Sequence, residues 1–156
     1  MPLSENVKAP GFQLPDEEGN LRSLSEFLGK PVVLYFYPKD DTKGCTTEAC
    51  NFRDDYSAYE NSGVVILGVS PDPSKSHTKF INKYDLPFSL LADEDHAICE
   101  LYEVWGTKKM YGREYQGVFR TTYLIDKEGI IKKVFQNVRP ANHSIEVLEA
   151  IRELEL

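Results

Sequence analysis

The sequence has little of what marks a membrane, secreted or nucleic-acid-binding protein. Its longest apolar runs, Val32–Tyr37 and Val64–Val69, are six residues each. A membrane-spanning helix needs about 20, so a soluble chain with no membrane partner is expected. Cysteine is scarce, three in 156 residues. That odd count builds no paired framework and points to a reducing, cytoplasmic interior, where a thiol matters through its reactivity. Basic charge is in deficit: 18 Lys and Arg stand against 25 Asp and Glu, a formal net charge of −7. Nucleic acid and anionic membrane are therefore poor partners. The first residues, MPLSENVKAP, show neither a basic region nor an apolar one, so no secretory signal is expected. The three histidines, His77, His96 and His143, are scattered, and no metal site is expected from them. Repeats, low-complexity tracts and flexible linkers are also missing, so residues 1–156 are expected to form one domain.

What is present alternates strand and helix. FQLPDEEGNLRSL reads as two short extended pieces around a turn at Asp16–Asn20, followed by a capping box of Ser23 and Glu26 opening a short helix. PVVLYFYP is apolar throughout, rich in β-branched and aromatic residues and closed by Pro38, as a central parallel strand buried on both faces would be. The spacing then predicts a helix from Cys45 to about Glu60, with Ala49, Phe52, Tyr56 and Tyr59 on one face. VVILGVS is a second buried strand, which makes a strand–helix–strand unit with a right-handed crossover. A helix is predicted over 73–84 with Phe80, Ile81 and Tyr84 inward, a strand at Phe88–Leu91 and a helix near Ala97–Val104. Asp93, Glu94 and Asp95 read as a solvated turn, and 105–118 as a loop. TTYLID and IIKKVFQ form a hairpin over Asp126–Gly129, and a helix over 142–154 closes the chain. This order describes a thioredoxin-like α/β fold with a central mixed sheet, flanking helices and an N-terminal hairpin.

Gly44 and Cys45 sit where the loop after the first buried strand meets a helix. With Cys45 as N-cap, Glu48 falls at the third helical position. A cysteine there faces unpaired backbone N–H groups and the positive end of the helix dipole, both of which favour the thiolate. Asp40, Asp41 and Glu48 oppose it, so a nearby cation is required. Lowering a thiol pKa from about 8.5 to about 6 raises the thiolate fraction at pH 7 roughly 30-fold. The accompanying loss of intrinsic nucleophilicity removes about tenfold of that gain. A fast nucleophile therefore needs donors fixed on the transition state as well. Thr42, Arg120 and the amides near Cys45 are candidates by residue type. Cys50 lies five residues on, about 500° round a helix and roughly 8–9 Å away between Cα atoms. Disulfides want less than about 7 Å, so the pair cannot bond while the helix is intact. Cys99, beside Ile98 and Leu101, reads as a small core residue.

The stretch Pro38-Lys-Asp-Asp-Thr42-Lys-Gly-Cys45 has the form P-x-x-x-T-x-x-C and resembles the active-site signature of peroxiredoxins. TTEAC with Cys50, the following NFRD, and VWGTKKMYGREYQGVFRTTYLIDKEG with Arg120 resemble the peroxiredoxin Q, or bacterioferritin comigratory, branch. The likeness runs from about Val7 to the C-terminal helix. It implies a thiol peroxidase acting on hydrogen peroxide and organic hydroperoxides. Cys45 would attack the peroxide and become a sulfenic acid. Thr42 and Arg120 would hold the peroxide, Pro38 would shield the pocket, and Gly44 and Glu48 would support it. Cys50 would resolve Cys45 as an intramolecular disulfide, and a thioredoxin-type dithiol protein would reduce that disulfide. No metal, haem or flavin cofactor is implied. A monomer is expected, with a dimer also compatible. A thioredoxin-like disulfide oxidoreductase fits less well, because the chain has no C-x-x-C and no proline before TTYLID.

Overall fold

A computed structural model describes residues 2–156. Strand β3 (Val32–Phe36) lies at the middle of a five-stranded sheet, and all five of its residues are buried. On one side it pairs in parallel with β4 (Val65–Ser70), which pairs in parallel with β5 (Ser89–Ala92). On the other side it pairs antiparallel with β8 (Thr121–Ile125), which continues antiparallel to β9 (Ile131–Phe135). The sheet is therefore mixed, and its central strand is parallel to one neighbour only.

Because side chains alternate across a strand, PVVLYFY feeds two cores. Val33, Tyr35 and Tyr37 pack with Cys45, Ala49, Phe52, Tyr59, Phe80 and Val147 on one face. Val32, Leu34 and Phe36 pack with Phe12, Cys99, Tyr102 and Tyr123 on the other. The first face is covered by α1 (Lys43–Asp54), α2 (Tyr56–Asn61), α3 (Ser74–Tyr84) and α5 (His143–Glu153). The second face is covered by α4 (Ala97–Leu101) and the hairpin of β1 (Gln13–Pro15) and β2 (Leu21–Ser23). The capping box forms as expected: the Ser23 N–H donates to Glu26 Oε1 at 3.2 Å, ahead of a 3-10 turn over Leu24–Phe27.

Four readings change. The helix expected from Cys45 to Glu60 begins two residues earlier and breaks at Asp55 (φ −98°, ψ 8°), which separates α1 from α2. Residues 105–118 form a hairpin of β6 (Trp105–Met110) and β7 (Arg113–Val118), not a loop. Both of its faces are largely exposed, so no apolar alternation betrays it. Its turn is the dipeptide Tyr111–Gly112, both at positive φ (53° and 78°), the geometry of a two-residue hairpin turn. The helix expected near Ala97–Val104 stops at Leu101. Finally, Asp93 is fully buried rather than solvated, and its carboxylate accepts the N–H groups of Ile98 (3.2 Å) and Cys99 (2.7 Å) at the start of α4.

Among the described residues no helix is long and apolar enough to cross a membrane.

Candidate active site

The chain leaves β3 through Tyr37 and Pro38 and crosses a short loop, in which Asp41 takes a left-handed conformation (φ 55°). Thr42 is extended (φ −95°, ψ 159°) and is the N-cap of α1. Cys45 is thus the third helical residue rather than the cap, and Glu48 lies one turn further on rather than at the third position. The dipole argument survives the shift, since the first three residues of a helix all keep N–H groups without an intrahelical acceptor. The Thr42 hydroxyl does not cap the helix. It donates to the Lys39 carbonyl at 2.9 Å, which leaves its oxygen lone pairs open at an exposed position.

Cys45 is 1% exposed. Arg120, in the short link between β7 and β8, reaches over it: Nη2 donates to Cys45 Sγ at 3.1 Å and Nη1 to Glu48 Oε1 at 3.3 Å. One guanidinium therefore spans a thiol and a carboxylate that project from the same helix, one turn apart. Gly44 makes the approach possible, because a Cβ there would stand 2.7 Å from Arg120 Nη2 and 3.5 Å from Pro140. Burial pushes the Glu48 carboxyl up to about 7, against the pull of Arg120. A second cation sits close by on the hairpin. Lys108 Nζ donates to the Val118 carbonyl at 2.8 Å, and its amine is held below the ordinary range by burial and by the Arg120 charge. Sequence reasoning missed Lys108 because it missed the hairpin; the Tyr-Gly turn was the available signal.

The carboxylates expected to oppose a thiolate each have a partner. Asp41 accepts from Lys83 Nζ and the Tyr84 hydroxyl, both at 2.8 Å. Glu48 has Arg120, and Asp40 faces His77 Nδ1 at 2.7 Å. Pro38 is half-buried at the loop's start.

Cys50 and Cys45 are both free thiols within the intact α1. Cys50 is half-buried, and burial raises its thiol pKa. The two halves of α1 are held differently. The C-terminal half is pinned by Phe52, fully buried, by Asn51 donating to the Pro140 carbonyl (3.0 Å) and by Arg53 donating to the Tyr84 carbonyl (2.7 Å). The first turn is held by Cys45, packed in the core beneath Arg120. Cys99 lies across the sheet in the second core, as expected of a packing residue.

A buried cysteine under an arginine at the head of a helix, next to the central strand of such a sheet, defines a thioredoxin-fold thiol enzyme. The AhpC/TSA family model matches residues 6–134, and the chain belongs to that family. It is 50% identical over 148 residues to a putative peroxiredoxin Bcp of Coxiella burnetii, covering 95% of this chain and 98% of that protein. It is 45% identical over 154 residues to peroxiredoxin Bcp of Bacillus subtilis, covering 99% and 98%. Among solved structures it resembles Xanthomonas campestris bacterioferritin comigratory protein, studied for alkyl peroxide reduction (TM-score 0.88, 36% identity, 93% and 92% of the two chains). It also resembles the peroxidoxin BcpB of Mycobacterium tuberculosis (TM-score 0.87, 30% identity, 97% and 98%). The protein is accordingly a peroxiredoxin of the Q, or Bcp, branch, and an enzyme.

Proposed function

We propose that this peroxidase works through Cys45 as the attacking thiolate and Cys50 as the resolving thiol, on hydrogen peroxide and organic hydroperoxides. The observation that carries this reading is the Arg120 fork, which places a permanent cation 3.1 Å from Cys45 Sγ. Arg120 stabilises the sulfur's negative charge before attack and the oxygen charge that develops during it. The thiolate attacks the terminal oxygen and the O–O bond breaks. The leaving alkoxide or hydroxide takes a proton, giving Cys45–SOH and ROH. Thr42, with its oxygen lone pairs open, accepts from the peroxide O–H, and Pro38 walls the same side. Gly44 makes room for the guanidinium and Glu48 steadies it.

Resolution needs α1 to loosen. The Cys50 thiol attacks the sulfenic sulfur, an S–S bond forms and water leaves. The unequal anchoring of α1 supports unwinding from the Cys45 end, while Phe52, Asn51 and Arg53 hold Cys50 in place. A thioredoxin-type dithiol protein then reduces the disulfide, as suits a monomeric antioxidant enzyme of a reducing cytoplasm that needs no metal or organic cofactor.

Cys45→Ser tests the first step: peroxide consumption is expected to vanish, and retained activity would refute it. Cys50→Ser tests the second. One equivalent of peroxide should be consumed, followed by over-oxidation of Cys45 instead of disulfide formation. Unchanged steady turnover with thioredoxin would remove Cys50 from the cycle.

A further inference from the structure

A second buried polar cluster lies at the base of the loop that feeds α1, and the peroxide chemistry above does not use it. Asp40 Oδ1 accepts from the Tyr37 hydroxyl at 2.5 Å, and Oδ2 accepts from Ser76 Oγ at 2.7 Å. The Asp40 N–H donates to Asp72 Oδ2 at 2.6 Å. His77, on α3 and fully buried, places Nδ1 2.7 Å from Asp40 Oδ2 and Nε2 2.9 Å from the Leu91 carbonyl. A carbonyl oxygen only accepts, so Nε2 carries a hydrogen. Asp40 already accepts two hydroxyl hydrogens, and a hydrogen on Nδ1 as its third donor would make the ring a cation.

We propose that His77 is a positioning residue for the peroxide reaction: its imidazolium cancels the Asp40 charge and locks the loop that presents Thr42 and Cys45. Two further observations bear on this. Of the three carboxylates near Cys45, Asp41 is half-exposed and its pairing with Lys83 is screened by water. The Asp40–His77 pair is sealed, with side chains 4% and 0% exposed, so an unpaired charge there acts at nearly full strength. Moreover, Tyr35, whose buried hydroxyl has no partner among the described residues, packs in one core with Cys45 and stacks on Tyr37, which donates to Asp40. Asp40 and the sulfur therefore border the same apolar core, where charges are poorly screened. The groups facing the pair are Tyr37 just after β3, Ser70 at the end of β4 with Asp72 beyond it, Ser76 on α3 and the Leu91 carbonyl of β5. His77 is the cation among them.

The inference rests on Cys45 being the attacking thiol, and its test is read on resting, reduced protein. In His77→Gln the Asp40 carboxylate loses its counter-charge. The thiolate absorbance of Cys45 is then expected to titrate about one pH unit higher, and peroxide oxidation below that midpoint to slow about threefold, since the roughly tenfold loss of thiolate is partly offset by its greater nucleophilicity. In Asp40→Asn a neutral ring accepts from the new amide, so the titration stays at its wild-type position. The double variant D40N/H77Q, again neutral, returns to it. Loss of packing alone would not make one partner's removal harmful and the double removal harmless. An unshifted His77→Gln, or a double variant that stays shifted, overturns the proposal.

Should His77→Gln fail to fold, nitrogen NMR of the wild-type ring decides. Hydrogens on both ring nitrogens at pH 7 support the proposal, and a bare Nδ1 overturns it. A wild type that consumes no peroxide would instead remove the role of Cys45 and leave the charge state of His77 standing.

Discussion

Cys45 and Cys99 are the same residue at matching helix positions, yet only one faces a cation. Each is the third residue of a helix, α1 and α4, and each is sealed from solvent at 1% and 0% exposure. They differ in what faces them. Cys45 Sγ receives a hydrogen from the Arg120 guanidinium at 3.1 Å. Cys99 sits over Asp93, whose carboxylate caps its helix, and burial with the Asp93 charge pushes its thiol well above the ordinary range. Position at the head of a helix and depth of burial are common to both and so do not distinguish them. What does is the partner on the sulfur, since desolvation penalises an anion unless a cation stays with it.

The largest expected test of this contrast is Arg120→Met, which makes the surroundings of Cys45 resemble those of Cys99. Peroxide oxidation measured by stopped flow should fall about 100-fold or more, the scale of losing a charged donor from a transition state. A loss under about threefold would mean the arginine is not what separates the two cysteines. Gly44→Ala is the gentler version. Its Cβ would stand 2.7 Å from Arg120 Nη2, so the guanidinium must shift off the sulfur, and a loss of about tenfold is expected.

Glu48→Gln separates stability from chemistry. The carboxyl titrates at about 7 in the folded protein against an ordinary 4.5. An acid raised on folding helps most below its unfolded value, and that help is lost as pH rises through the folded one. The wild type should thus lose about 3 kcal/mol relative to the glutamine variant between about pH 4.5 and 7, measured by denaturant unfolding at each pH. A flat difference would place Glu48 as a carboxylate throughout. Smallest of all, Cys99→Ala should leave peroxide turnover within about twofold and cost about 1 kcal/mol of stability from lost packing. A large loss of turnover would show that the far side of the sheet takes part after all.

Strand β3, the Thr42-to-Cys45 spacing and the Ser23–Glu26 capping box were legible because each rests on local patterns: an unbroken apolar run, a motif, a cap. The hairpin of β6 and β7 was not, since a strand exposed on both faces carries no alternation. Asp93 was not either, because three acids in a row look alike until one of them caps a buried helix. What the order of residues determined unaided was the central sheet and a helix following its buried strand, both consequences of burial and backbone preference over short stretches. Which cysteine receives Arg120 and which receives Asp93, and that a lone histidine 37 residues away closes on Asp40, only the tertiary structure decided. Electrostatic pairing depends on distance through space, and the chain reveals that distance only once it has folded.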